Sequence, residues 1–126
     1  MAGTVDNELT GRILGAAIEV HRQLGPGLLE SAYRACLVDE LRAAGLGVRH
    51  EVTLPITYKG RVIEGAYRAD LVVEGAVLVE LKAVERILPI HEAQTLTYMR
   101  LGNLPVGLLL NFNVPRLREG IRRFIA

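Results

Sequence analysis

The chain has 126 residues, half of them hydrophobic, with 15 basic and 14 acidic side chains. That length supports one compact domain, expected over residues 1–126, and the near-neutral balance removes any overall nucleic-acid signature. The uncharged runs are too short to span a bilayer, the N-terminus lacks a signal peptide's layout, and the lone Cys36 excludes a disulfide framework or a cysteine zinc site; a cytoplasmic protein without a membrane partner is expected.

Residues 1–6 read as a loose start. Asn7 can cap a helix over about 8–23, with a wide apolar stripe at Ile13, Leu14, Ala17, Ile18, Val20 and Leu24 that implies burial against a sheet. His21 falls on the edge of the stripe, where a lone histidine is more often packed and hydrogen-bonded than catalytic. Gly25-Pro26-Gly27 stops this helix and turns the chain. A second helix is expected over 28–43, with Leu29, Tyr33, Leu37 and Leu41 as its buried row. Glu30, in its first turn, favours the positive end of the helix dipole, and its place beside the apolar row leaves a second reading open in which it points toward a metal.

From Val48 to Tyr58 the residues alternate, with Val48, Val52, Leu54, Ile56 and Tyr58 on one face. Pro55 marks a free edge or a bulge, and Gly65 a bend on the return strand. Two apolar runs, 71–73 and 76–79, then read as a hairpin in the middle of a sheet. After a crossover, Pro89 starts a third helix over about 90–101, closed by Gly102, and 106–112 is the near-continuous run of a central strand. Residues 116–125 stay open between a short helix and an edge strand. The order is that of an α/β sandwich around a mixed sheet.

The central hairpin carries charges that a buried sheet does not favour: Asp70, Glu80 and Lys82 interrupt valines and leucines. Glu80 and Lys82, two apart on a strand, leave the same face. Hard cations such as Mg²⁺ take one or two protein carboxylates plus waters, which Asp70 and Glu80 can supply, and a lysine beside them can orient a water or stabilise charge on a phosphate. The bland alternative is an exposed ion pair worth roughly 0–1 kcal/mol. Hairpin register separates the two. A two-residue loop at Glu74-Gly75 sets Asp70 and Glu80 on opposite faces, whereas a three-residue loop, 74–76, pairs Val73 with Val77 and sets Asp70 opposite Glu80. Glu-Gly is a weak two-residue turn, so the longer loop is expected.

Asp70 followed by Glu80-Leu81-Lys82 resembles the D…(D/E)xK motif of the PD-(D/E)xK nuclease superfamily. Gly27-Leu28-Leu29-Glu30-Ser31-Ala32-Tyr33 further matches the signature of the GxxExxY protein family within it. The likeness continues through Val79–Ala83, His91-Glu92-Ala93-Gln94 with Tyr98, and Leu110-Asn111-Phe112. It implies an αβββαβ core, a central mixed sheet flanked by helices with an extra N-terminal helix. It also implies a site of Asp70, Glu80 and Lys82 with Glu30 as an added helical acid, Gln94 as a polar neighbour and the Leu81 carbonyl as a further ligand.

The expected function is a Mg²⁺- or Mn²⁺-dependent nuclease or nuclease-like phosphodiesterase. Its partner would be nucleic acid, DNA ahead of RNA. The alternative is a non-catalytic module of the same fold that binds nucleic acid or a protein. The small surface and polar edge strand also point to a possible homodimer.

Overall fold

Five apolar segments assemble into one mixed sheet: β1 (Val48–Tyr58), β2 (Arg61–Val73), β3 (Val77–Lys82), β4 (Val106–Asn111) and β5 (Ile121–Ile125). They lie side by side in chain order, antiparallel except for the parallel β3–β4 pair, whose intervening helix makes that crossover possible. Every residue of β4 is buried, as an unbroken apolar run predicts for a strand covered on both faces. The ambiguous C-terminal stretch divides into a 3₁₀ turn (Leu117–Gly120) and the outer strand β5. This computed structural model describes residues 7–126; the loose start expected at residues 1–6 lies outside the described residues. No helix among the described residues is long and apolar enough to cross a membrane.

Two helices cover one face of the sheet, α1 (Asn7–Leu24) and α2 (Glu30–Ala43); α3 (Pro89–Gly102) covers the other. Ile13, Ala17, Val20, Tyr33, Leu37 and Leu41 pack on Val79, Leu81, Leu108 and Leu110, while Met99 meets Leu54, Val72 and Leu78. The α1 stripe is narrower than its sequence implies: Ile18 and Leu24 are exposed, and Ala16 and His21 are buried instead. The α2 helix starts two residues later than expected, with Leu29 at its cap and largely exposed. The reason is the turn before it, where the buried Tyr33 hydroxyl donates to the Gly25 carbonyl (2.5 Å) and accepts from the Leu28 amide (3.1 Å). Those bonds hold Leu28 in the turn and out of the helix. At the end of α3, Asn103 rather than Gly102 takes the left-handed residue, at φ 57°.

The long β1–β2 ribbon carries the bulge that Pro55 predicts, between Leu54 and Ile56, opposite the bend at Gly65 (φ 65°). Its facing departs from simple alternation. Val48 packs with α1 and α2, whereas Val52 and Leu54 pack with α3. The reversal falls at Glu51, a non-glycine residue at φ 52°. On β2 the matching change occurs between Leu71 and Ala69, which belong to opposite cores. Asp70 sits at that switch.

The β4–β5 connection is tightly built. A Cβ on Gly120 would collide with the backbone carbonyl of Asn111, which cannot swing aside. Gly120→Ala is expected to destabilise by about 1–3 kcal/mol, read as a lower urea midpoint with an unchanged slope; an unchanged midpoint would contradict this packing.

Candidate active site

The β2–β3 turn has the three-residue register: Val73 pairs with Val77 and Leu71 with Val79. Glu74 and Gly75 both adopt left-handed backbone (φ 54° and 63°), and Ala76 is the extra residue before β3. A glutamate tolerates this conformation because loop contacts hold it: its amide donates to the Gly47 carbonyl (2.8 Å) and its carboxylate accepts from the Gly47 amide (2.5 Å).

Beyond Leu71–Val79 the ladder opens, and carboxylates take the place of backbone partners. The Asp70 amide donates to Glu80 Oε1 (2.9 Å), and the Leu81 amide donates to Asp70 Oδ2 (2.9 Å). The switch of facing at Asp70 is what turns its carboxylate sideways into the gap between β2 and β3. From there its second oxygen also reaches α2, where Arg34 Nη1 stands 3.2 Å from Oδ1. Asp70 thereby ties α2 to the β2–β3 gap of the sheet.

Glu80 is buried at 6% exposure, on the α3 face with Leu78. Burial is the first cause that pushes its carboxyl up to about 8, and the adjoining Asp70 charge is the second; the Asp70 amide and Lys82 oppose the rise. Lys82 follows on the same face, half-buried. Tyr98, on α3, closes the arrangement. Its hydroxyl is raised above the usual tyrosine range by partial burial, then by the charges of Glu80, Tyr67 and Asp70, and its ring leans on Tyr67 at 5.7 Å.

Glu30 and Gln94 are placed differently from this cluster. Glu30 accepts a hydrogen bond from the Ala83 amide (3.2 Å), just past the end of β3. It descends from α2, whereas Glu80 leaves the sheet toward α3, so the two acids approach the strand end from opposite faces. No group of three or more His, Cys, Asp or Glu converges on a common point among the described residues. Gln94 is exposed on α3. Leu81 contributes its amide to Asp70.

Arg34 was not singled out by sequence reasoning, although it lies one turn after Glu30 on the same helical face, which is the signal that would have found it. In the sequence, Asn111 figures only within the Leu110-Asn111-Phe112 likeness, with no role of its own. Fully buried, its side chain accepts from the Val84 amide (3.1 Å) and donates to the Val84 carbonyl (2.9 Å), which ties the segment after β3 to the end of β4. Its neighbour Phe112 stacks on Tyr33 at 4.6 Å.

The carboxyl pair fits a divalent cation. Two acidic groups adjoin, one of them so disfavoured as an anion that it retains a proton near neutral pH, and a cation relieves both burial and repulsion. Two carboxylates plus waters also meet the usual demand of Mg²⁺.

A family model described as the PD-(D/E)XK nuclease superfamily matches residues 7–124. No curated protein matches the sequence. Among solved structures, the crystal structure of SSO0001 is similar at 19% identity and a TM-score of 0.49, over 75% of this chain and 47% of that one. The chain thus spans under half the length of that protein. With the family match running from α1 into β5, the chain belongs to the PD-(D/E)XK nuclease superfamily.

Proposed function

We propose that the protein is a Mg²⁺- or Mn²⁺-dependent phosphodiesterase of the GxxExxY type, cutting nucleic acid, DNA ahead of RNA. The observation that carries this reading is the Asp70–Glu80 carboxyl pair, with Lys82 on the same face. In this reading Asp70 and Glu80 would hold the cation, with the Leu81 carbonyl as a further ligand carried over from the family resemblance; Glu30, which approaches from the α2 face and holds the Ala83 amide, would support the strand end beside them. A divalent cation held there would supply Lewis-acid polarisation of the phosphate and a water of lowered pKa.

The chain's own residues do the rest. The Asp70 amide fixes one Glu80 oxygen, and the Leu81 amide and Arg34 fix Asp70, so both carboxylates are oriented before any ligand arrives. Lys82 stabilises the charge that builds on the phosphate and aligns the attacking water. Gln94, exposed on α3 and apart from the carboxyl pair, would meet water or phosphate only at the solvent edge of the site. Hydrolysis forms a bond from the water oxygen to phosphorus and breaks the bond to the leaving sugar oxygen, which takes up a proton. A non-catalytic binding module is the competing reading, and it would leave the buried, proton-retaining Glu80 without a use.

The test is a cleavage assay on single- and double-stranded DNA and RNA, with Mg²⁺, Mn²⁺ or EDTA. Metal-dependent cutting of one of these supports the proposal; absence of cutting on all of them favours the binding module. The homodimer belongs to the same proposal. The outer edge of β1 is free to pair with a second copy except at Pro55. Light scattering is expected to give twice the chain mass, and a monomer at working concentration would end that part.

A further inference from the structure

The cations that the proposed site leaves unused gather on the segment after β4. Because β4 runs parallel to β3, the chain leaves both strands at the same end of the sheet, the end that holds Glu80 and Lys82. There Arg116 and Arg118 flank Leu117, which is buried at 3% exposure, so both guanidinium groups are turned outward from one anchored residue. They border an open cavity of about 320 Å³ that His21 and Arg22 line from the last turn of α1.

This rim is rigid. His21 Nε2 stands 2.8 Å from the Val114 carbonyl, the Asn111 side chain accepts from the Asn113 amide at 3.2 Å, and Gly120 packs directly on Asn111. Glu119 lies on the same 3₁₀ turn but forms no ion pair with Arg116 or Arg118 among the described residues. Arg22 is offset by Glu19 at 2.9 Å, whereas neither Arg116 nor Arg118 has a hydrogen-bond or ion-pair partner for its guanidinium among the described residues. The loop backbone needs no ordering to meet an anion; each exposed arginine gives up side-chain rotamer freedom, offset by forked donors that match phosphate oxygens.

We propose that Arg116 and Arg118 form a docking point for the phosphodiester backbone of a nucleic-acid strand running across the Asp70–Glu80 site. The inference rests on the nuclease reading of that site and adds to it a contact outside the chemistry, one that confers affinity without sequence preference.

The experiment is fluorescence anisotropy in EDTA with a labelled duplex of about 20 base pairs and the matching single strand, titrated at several salt concentrations between about 50 and 200 mM. For the duplex, Arg116→Ala/Arg118→Ala is expected to reduce the slope of log affinity against log salt by about 2, near one unit per lost phosphate contact. Arg116→Lys/Arg118→Lys should keep most of that slope, and Arg100→Ala, in the last turn of α3 at the opposite end of the sheet, should leave it unchanged. If the wild type binds and the double alanine variant keeps its slope, the docking point is wrong while the nuclease reading stands. A loss of slope in Arg100→Ala equal to that of the double variant also overturns it, because binding is then diffuse. If the wild type binds no polynucleotide in EDTA, the docking point fails, and the nuclease reading is decided separately by the cleavage assay with metal.

Discussion

Lys82→Ala is expected to lower the cleavage rate by roughly 10²–10⁴-fold, the range for removing a single group that stabilises developing charge or assists proton transfer. The fold should survive. Lys82 is half-buried, its side chain has no hydrogen-bond partner among the described residues, and its backbone carbonyl still accepts from the Phe112 amide at 2.8 Å. A melting temperature within a few degrees of wild type beside a collapsed rate would place the loss in chemistry; equal rates for the two proteins would remove Lys82 from the site.

The second large effect concerns stability. In metal-free protein, Glu80 is held at about 8 against an ordinary value of 4.5, so the folded state keeps a proton that the unfolded chain releases. Below about pH 4.5 the group is protonated in both states and costs nothing. As pH rises from there through about 8 the folded state is progressively penalised, and above that the full cost is present. Glu80→Gln cannot ionise, and its amide can still accept from the Asp70 N–H. In EDTA the variant should therefore match wild type near pH 4.5 and exceed it at pH 8.5 by a few kcal/mol, on the order of 10 °C in melting temperature. Melting curves across that range check it. A variant less stable than wild type at every pH would mean that Glu80 is a structural anion and not a strained one.

Much of this site is legible because the relevant physics is local. The three-residue turn follows from the weak turn chemistry of Glu74-Gly75, and with it the meeting of Asp70 and Glu80. The bulge follows from a proline without an amide in a strand, and the central place of β4 from its unbroken apolar run. What escaped depends on contacts between distant segments. Leu28 and Leu29 continue the apolar spacing of α2, yet the Tyr33 hydroxyl pins the turn and the helix begins after them. The Val48 side chain lies on the other face from Leu54 because Glu51 adopts a left-handed backbone that its residue type does not announce. Glu30 could be assigned a helix face from its spacing, but not the face of the sheet on which that helix would lie.

That last point bears on the chemistry. Arg34, which accompanies Glu30 on α2, bonds Asp70 directly, while Glu30 bonds the backbone at Ala83. The guanidinium of Arg34 fixes the orientation of the Asp70 carboxylate. Asp70 is accordingly the residue on which the proposed site turns. It sits where β2 changes facing, and its carboxylate touches β3 and α2 while its amide supports Glu80.

The most direct measurement is a calorimetric titration with Mn²⁺ at about pH 7.5, near the region where Glu80 gives up its proton, on the wild type and on Asp70→Ala. Saturable binding in the wild type and its loss in Asp70→Ala is the predicted result. Equal binding by both proteins, or none by the wild type, would contradict the metal site.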